Sequence, residues 1–481
     1  MKRSKSESRN FNDPCILLVN PWIHDFAAHN LWSQPLGLLY LAALLRQAGY
    51  RLNFLDCLDI YHPELQGEGL RRVRHGPWGT GKFPKQRIPT PPALADVPRP
   101  YHRYGITPRI FRRELISVPV PDAVLVTSGM TYWYPGVVEA VKMVRETFPS
   151  TPVILGGIYA TLCPKHARQA VEPDYLVEGP GEYVVPGVVA GATGGPMPPP
   201  TDPSRPETLP FPALDLCREM TFTPILTSRG CPYRCPYCAT GLLYHGFIRR
   251  SPESVVDELE YWLQLKGTRD VAFYDDALLM DFADHLGPVL EKVLSRGLLM
   301  RFHTPNGLHA RYVDRESAFL MRRAGFRTIR LSLETADPSR QLQLGNKTDN
   351  DTFRRAVGFL TEAGFGLDEV GAYLMVGLPG QEMREVQQSV DFVLGLGLKP
   401  LLAEYSPLPG TPMWEEARRA SRYPLEDDPL YQNNSALPCA GPGFGFAHLK
   451  SERERIRNHR SPQSSQISRR YHAIGLEKTL L

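Results

Sequence analysis

Twice along this chain of 481 residues, short apolar runs alternate with helix-like stretches, and that alternation leaves few folds open. Strands separated by helices pair in parallel through crossovers, with the helices laid on the faces of the sheet. In the first stretch strands are read at residues 15–19, 51–55, 123–127, 152–155 and 175–177, and helices at 36–48, 135–147, 165–171 and 182–189. The strands are apolar almost throughout, as in a sheet covered on both faces. The fold class is α/β, and the expectation for residues 14–190 is a doubly wound, Rossmann-like domain. A second stretch has strands at 224–227, 271–274, 300–303, 328–333, 370–376 and 401–405, with helices at 252–266, 282–296, 315–324, 351–363 and 382–394. Six strands and five helices predict a partial (β/α)6 barrel over residues 220–415. Ser251 ahead of Pro252 is a helix start, and Gly267, Gly297, Gly325 and Gly364 stand where helices should stop. Chemistry in both kinds of sheet collects beyond the carboxyl ends of the strands.

The chain holds 46 prolines, close to twice the usual share of about 5%. They collect between the elements. Residues 58–120 interrupt the first domain with no clean period, and Trp78, Phe83, Tyr101, Tyr104 and Phe111 give them apolar anchors. A lid over a cleft and simple surface wrapping fit equally well. Residues 191–219 read as a Pro-rich, semi-rigid linker, residues 1–13 as a polar tail, and 416–481 as a carboxyl-terminal extension.

Net charge is +4, but residues 450–481 hold eight Lys or Arg against three Glu, so the remainder is close to neutral. A neutral body excludes a general polyanion-binding surface, and nucleic acid is not expected as a partner. The tail reads as a solvated, partly disordered extension. No apolar run approaches the roughly 20 residues of a membrane span, and no signal core follows the amino terminus. Eight cysteines without a signal do not form a disulfide framework, so a reducing cytoplasm is expected.

Three of those cysteines follow the first strand of the second domain, in Thr-Ser-Arg-Gly-Cys231-Pro-Tyr-Arg-Cys235-Pro-Tyr237-Cys238. Soft thiolates suit iron–sulfur clusters or zinc. Three ligands at C-x3-C-x2-C hold three corners of a cubane 4Fe-4S cluster and leave one iron open, which is what a catalytic metal requires. A zinc knot would need His245 or Cys217 as a fourth ligand and lacks a second C-x2-C pair.

Cys231, Cys235 and Cys238, with the aromatic Tyr237, resemble the signature of the radical S-adenosylmethionine (SAM) superfamily. The resemblance implies an enzyme in which the open iron is chelated by SAM, and reduction of the cluster cleaves SAM to methionine and a 5′-deoxyadenosyl radical. It implies cofactor contacts at Tyr237 behind the adenine and at Asp275 or Asp276 after the second strand. Asn306 after the third, Glu334 at the end of the fourth, and Gly377 and Pro379 in the Gly-Leu-Pro-Gly after the fifth complete the set. Read from the residues alone, Asp276 could cap a turn, Glu334 could pair with Arg330 or Arg311, and His303 reads as a hydrogen-bonded core histidine.

The amino-terminal domain resembles that of the cobalamin-binding class of the superfamily. The matching features are the apolar first helix, Thr127-Ser128-Gly129 after a strand, Gly156-Gly157 after the next, and Gly179-Pro-Gly-Glu182. The resemblance implies a cobalamin nucleotide tail lodged by Ser128, Gly156 and Gly157. The Asp-x-His-x-x-Gly motif that ligates cobalt from below is missing, and His24, near its place, reads as a surface or lid histidine. The expected reaction is cobalamin-dependent methyl transfer to an unactivated centre of a small molecule, with flavodoxin or ferredoxin as electron donor. The alternatives are an anaerobic oxidative cyclase or other radical SAM oxidoreductase without methyl transfer, or a non-enzymatic iron–sulfur or zinc module with a nucleic-acid-binding tail.

Overall fold

The computed structural model describes residues 13–70 and 76–459, so most of the expected tail at 1–13 and the basic residues after 459 lie outside the described residues. The chain divides into two compact units whose main boundary falls between Thr221 and Phe222.

The first unit runs β1 (Cys15–Asn20), β2 (Ile23–Asp25), α1 (Leu36–Gln47), β3 (Arg51–Asp56), β4 (Lys85–Arg87), β5 (His102–Tyr104), α2 (Pro108–Ser117) and β6 (Ala123–Val126). It continues with α3 (Tyr134–Thr147), β7 (Val153–Leu155), α4 (Ile158–Leu162), α5 (Pro164–Val171), β8 (Tyr175–Leu176) and α6 (Val185–Thr193). Five strands form a parallel sheet in the order β3-β1-β6-β7-β8. Successive side chains of a strand point to opposite faces, and both faces here are apolar. Leu17, Val19, Val124, Val126, Val153 and Leu155 pack with α2, α3 and α5 on one side. Ile16, Leu18, Leu125 and Ile154 pack with α1 and α6 on the other. The sheet is doubly wound, as expected, and its order reverses between β1 and β6.

The segment 58–120 is where the fold departs from the sequence reading. It contains α2, capped by Thr107, whose hydroxyl oxygen accepts from Ile110 N at 3.3 Å, with Pro108 as first helical residue. Ile110, Phe111 and Leu115 are fully buried in the core of the unit. The Trp22 indole donates to Ile106 O at 2.7 Å, and its ring meets Phe111 edge-on at 4.9 Å. Residues 106–117 are thus neither lid nor wrapping but part of the core. Ahead of them β4 and β5 join β2 in a small antiparallel sheet. The end of the Pro-rich stretch 191–219 also belongs to this unit, because Ala213 and Leu214 are buried and Ala213 N donates to Leu39 O at 2.9 Å.

The second unit begins with β9 (Thr223–Ile225), β10 (Ser228–Arg229), α7 (Thr240–Leu243), β11 (Ile248–Arg249), α8 (Pro252–Lys266) and β12 (Asp270–Phe273). Then come α9 (Leu286–Ser295), β13 (Arg301–His303), β14 (Leu308–His309), α10 (Arg315–Ala324), β15 (Phe326–Glu334), α11 (Pro338–Gln343) and α12 (Asn350–Glu362). It closes with β16 (Val370–Val376), α13 (Met383–Gly395), β17 (Lys399–Glu404), α14 (Trp414–Ala420) and α15 (Phe446–Asn458). Six strands lie parallel in the order β9-β12-β13-β15-β16-β17, and the short β14 pairs with β15. β9 and β17 are its two edges, so this is an open (β/α)6 half-barrel. On β15 Ile329, Leu331 and Leu333 enter the core under the helices. Ser332 and Glu334, by the period of two, take the opposite face.

Residues 416–459 are less an extension than part of this unit. Leu437, Phe444 and Leu449 join its core. Of the basic tail, residues 450–457 lie in α15, where Arg453 pairs with Glu404 and Arg455 with Glu452 and Asp391. That part forms a helix with these ion pairs, while most of its side chains stay exposed to solvent.

Candidate active site

The half-barrel sends its first strand into the cysteine loop. Gly230, at φ +79°, makes the turn into it, and Cys238 N closes it on Cys235 O at 3.0 Å. All three cysteines are unpaired; Cys235 is buried, Cys231 half-buried and Cys238 exposed. Burial pushes the Cys231 thiol up to about 11, and Asp276, Cys235 and Cys238 push the same way. Cys235 and Cys238 therefore oppose ionisation of Cys231, a donor set that a bound cationic cluster relieves. Among the described residues no group of three or more His, Cys, Asp or Glu converges to hold a single metal ion. Cys217, the alternative zinc ligand, instead meets Gln34 Oε1 at 3.6 Å.

The loop is braced from three directions. Met413 N donates to Pro236 O at 2.9 Å. Tyr233 shares a 2.7 Å hydrogen bond with Tyr312 and meets His309 edge-on at 4.8 Å. Gly345, at φ +98°, lies so close to Cys235 that a Cβ there would stand 3.5 Å from its Cα.

The two aspartates after β12 part company. Asp275 is buried, and its Oδ1 accepts from Ser228 N and Oγ at 2.6 Å each and from Thr227 Oγ1 at 2.7 Å. His285 holds the same threonine hydroxyl at 2.9 Å. Burial pushes the Asp275 carboxyl up while these donors pull it down. It is a knot tying β12 to the root of the cysteine loop. Asp276, pushed up to about 6 by burial and by Asp275, is the acid whose charge Cys231 feels. The Asn306 amide donates to Tyr274 O at 2.9 Å and Asp275 O at 3.3 Å, which ties the loop after β13 to the same place.

Glu334 ends β15 with φ +68°, a region ordinary side chains rarely adopt and which marks strain at functional sites. It pairs with neither Arg330 nor Arg311. Lys347 donates to its Oε1, and the Tyr237 hydroxyl donates to the same oxygen at 3.2 Å. The Lys347 Nζ stands 5.8 Å from the centre of the Tyr237 ring. Although burial opposes its charge, Glu334 and then Cys235 and Cys238 hold the ammonium above the ordinary lysine value. Lys347 carries no motif in the sequence; only the fold of the 345–347 loop onto Cys235 brings it here. After β16, Gly377 takes φ +81° and its N–H donates to Gln381 Oε1 at 2.8 Å, while Arg340 donates to Pro379 O at 3.1 Å. His303 is a fully buried core histidine, as read, bonded to Thr328 and Asp270 at 3.1 Å each.

In the first unit, the sheet order places a crevice beyond the carboxyl ends of β1 and β6. The Ser128 hydroxyl there donates to Gly156 O at 2.7 Å. A Cβ on Gly157, at φ +99°, would stand 2.3 Å from Ser128 O, so this glycine serves the junction of the two strand ends. A Cβ on Gly156 would meet only Val177 O, at 3.7 Å. Gly156 is the position with room beside it. His24 is buried, not at the surface: its Nε2 lies 3.1 Å from Glu139 Oε2, and Tyr101 donates to its carbonyl at 2.9 Å.

An open parallel half-barrel with three thiols in one loop at the carboxyl end of its first strand, ringed by acids and a buried lysine, defines a radical SAM domain. Residues 225–393, within the second unit, match the Radical SAM superfamily, and the chain is an enzyme. An uncharacterized methyltransferase of Pyrococcus horikoshii is 24% identical over 327 residues, 62% of this chain and 69% of its own length. The anaerobic magnesium-protoporphyrin IX monomethyl ester cyclase of Cereibacter sphaeroides is 23% identical over 451 residues, 84% of this chain and 63% of its own length. Among solved structures, the radical SAM methyltransferase TsrM from Kitasatospora setae, with cobalamin and a [4Fe-4S] cluster bound, superposes with a TM-score of 0.61 at 18% identity, over 88% of this chain and 81% of that one. The fold of this chain is similar to that of TsrM.

Proposed function

We propose that the chain is a cobalamin-dependent radical SAM methyltransferase acting on an unactivated centre of a small molecule. The observation that carries this is the joining of a 2-1-3-4-5 doubly wound unit to a half-barrel with the C-x3-C-x2-C loop. When bound, the cluster and SAM supply a 5′-deoxyadenosyl radical, and cobalamin supplies a methyl carrier. Cys231, Cys235 and Cys238 hold the cluster. Tyr237, Asp276, Asn306, Glu334, Gly377 and Pro379 hold SAM, while Asp275 fixes the loop from behind. Ser128 and Gly157 shape the crevice that takes the cobalamin tail, and Gly156 borders it. His24 stays off the cobalt because Glu139 engages it. Flavodoxin or ferredoxin supplies the electron. The compartment is a reducing cytoplasm, where the three thiols stay unoxidised; among the described residues no helix is long and apolar enough to cross a membrane.

The test is an anaerobic assay of reduced, reconstituted protein with SAM, run with and without cobalamin. 5′-Deoxyadenosine should appear in both and vanish in Cys238→Ala. S-Adenosylhomocysteine should appear only with cobalamin. 5′-Deoxyadenosine without S-adenosylhomocysteine, whatever cobalamin form is supplied, would favour a second reading, oxidative cyclisation, for which the observation is the reach of the cyclase match along this chain.

A further inference from the structure

The small antiparallel sheet β2-β5-β4 of the first unit carries charges that the reaction proposed above does not use. Lys85 stands directly across from Tyr104, and Arg87 across from His102. All four side chains take one face, because positions two apart in a strand share a face. The Lys85 Nζ lies 5.7 Å from the centre of the Tyr104 ring, and that ring lies 5.7 Å from the His102 ring. Lys85 and Arg87 are exposed, and among the described residues no carboxylate pairs with either. Lys82 and Arg99 add to the positive field around Lys85. His102 beneath them is only 9% exposed, and its Nδ1 is buried without a partner. Burial, and then Lys85, hold the imidazole below its ordinary value, so the ring is neutral near pH 7.

Asp25 is the one acid that these three strands place on this face, across from His102 on the other side. Its carboxylate is already engaged: Oδ1 accepts from Phe26 N at 2.6 Å and Oδ2 from the Trp133 indole at 2.8 Å. Trp133 belongs to the loop after β6, so the patch stands at the carboxyl end of β1 and β6, where the crevice lies. Charges on an edge strand such as β4 keep the strands of other molecules away. That purpose does not explain two neighbouring cations above a buried imidazole nitrogen with no partner. Like charges placed together oppose folding, and so does an unsatisfied buried nitrogen; a bound anion that can share a proton relieves both.

We infer that Lys85, Arg87 and His102 form a binding site for a phosphate monoester. The two cations match its charge. The lone pair of a neutral imidazole nitrogen repels a fully ionised oxygen unless a proton lies between them. A phosphate monoester, whose second pKa is about 6, can bring that proton near neutrality. The proton stays on the phosphate oxygen or moves to Nδ1, and no other bond changes. A carboxylate, a sulfate or a phosphodiester is fully ionised near pH 7 and brings none. The substrate class that follows is a phosphorylated small molecule. That last step rests on the methyltransferase reading, whereas the site does not.

The experiment is isothermal titration calorimetry of the full chain near pH 7 at constant ionic strength, with inorganic phosphate and sulfate as probes. Phosphate should bind at least about tenfold more tightly than sulfate, as a hydrogen bond to a charged group implies. Lys85→Met and Arg87→Met, both at exposed positions, should each weaken phosphate at least about fivefold. His102→Gln should bring phosphate down to the affinity of sulfate. Equal binding of the two anions, no binding of phosphate, or variants that bind it as the parent does each overturn the inference. If His102→Gln does not fold, the sulfate comparison and the two exposed variants decide. Repeating the phosphate titration with hydroxocobalamin, and with cobinamide, which lacks the phosphodiester tail, identifies the source. Phosphate excluded by hydroxocobalamin alone assigns the patch to that tail and overturns the monoester; phosphate still bound supports it. Phosphate binding in a chain that never yields S-adenosylhomocysteine would sink the methyltransferase reading and leave the site standing.

Discussion

A methyl group at position 157 would sit 2.3 Å from the Ser128 carbonyl oxygen, whereas one at 156 would meet only the Val177 oxygen at 3.7 Å. The two glycines look alike in sequence, and only one has room beside it. Gly157→Ala carries both a backbone clash and a left-handed φ, so it should cost at least about 2 kcal/mol, read as a lowered midpoint of thermal unfolding. Gly156→Ala should stay within about 1 kcal/mol of the parent. The aspartates divide in the same way. Asp275→Ala would strand the donors of Thr227 and Ser228 in a buried place, so protein yield and iron uptake should both collapse. Asp276→Asn should keep the iron and weaken SAM binding, measured by equilibrium dialysis. The three cysteines were legible because their spacing is local. The division of labour between Asp275 and Asp276 was not, since it depends on which carboxylate faces Thr227 across the sheet. Lys347 was illegible for the same reason: 112 positions separate it from Cys235, and only the folded loop joins them.

At the scale of elements, parallel strands and their helices were read almost to their ends, because an apolar run between capped helices has a single reading in a covered sheet. α2 escaped. Its apolar residues are few among the arginines, and the prolines before it suggested irregular chain throughout. The signal was the Thr107-Pro108 pair, a cap followed by a first-turn proline, which needs no period. Its place in the core has a consequence. Phe111→Ala should destabilise the first unit by about 3–5 kcal/mol, the usual cost of emptying a buried phenylalanine site, and Thr107→Ala by about 1 kcal/mol. Urea titration checks both. A Phe111→Ala variant as stable as the parent would mean that this helix is detachable after all.

Across the whole molecule, a half-buried carboxyl and a buried imidazole give the units opposite responses to acid. Asp56, in the first unit, ends β3 and accepts from Asn20 at 2.7 Å and Leu58 N at 2.9 Å. Burial pushes its carboxyl up to about 7. Between about pH 4 and 7 the folded chain holds a proton there that the unfolded chain has lost, so the contribution of Asp56 to stability falls as pH rises through that window. His285, in the second unit, is pushed down to about 4, chiefly by burial and then by Arg249. Here the unfolded chain binds the proton first, so its contribution is complete above about pH 6.5 and is lost as pH falls toward 4. Amide hydrogen exchange, corrected for the intrinsic pH dependence of exchange, reads each unit separately. Asp56→Asn, whose side-chain oxygen can still accept both bonds, should increase protection of β1 and β3 at pH 8 by an order of 1–3 kcal/mol, and by far less at pH 4.5. His285→Gln should do the converse, protecting β9 and β12 more than the parent at pH 4.5 while giving no gain at pH 8. If Asp56→Asn shifted protection equally at both pH values, the carboxyl would be titrating at its ordinary value, and the crevice end of β3 would be wetter than its hydrogen bonds imply.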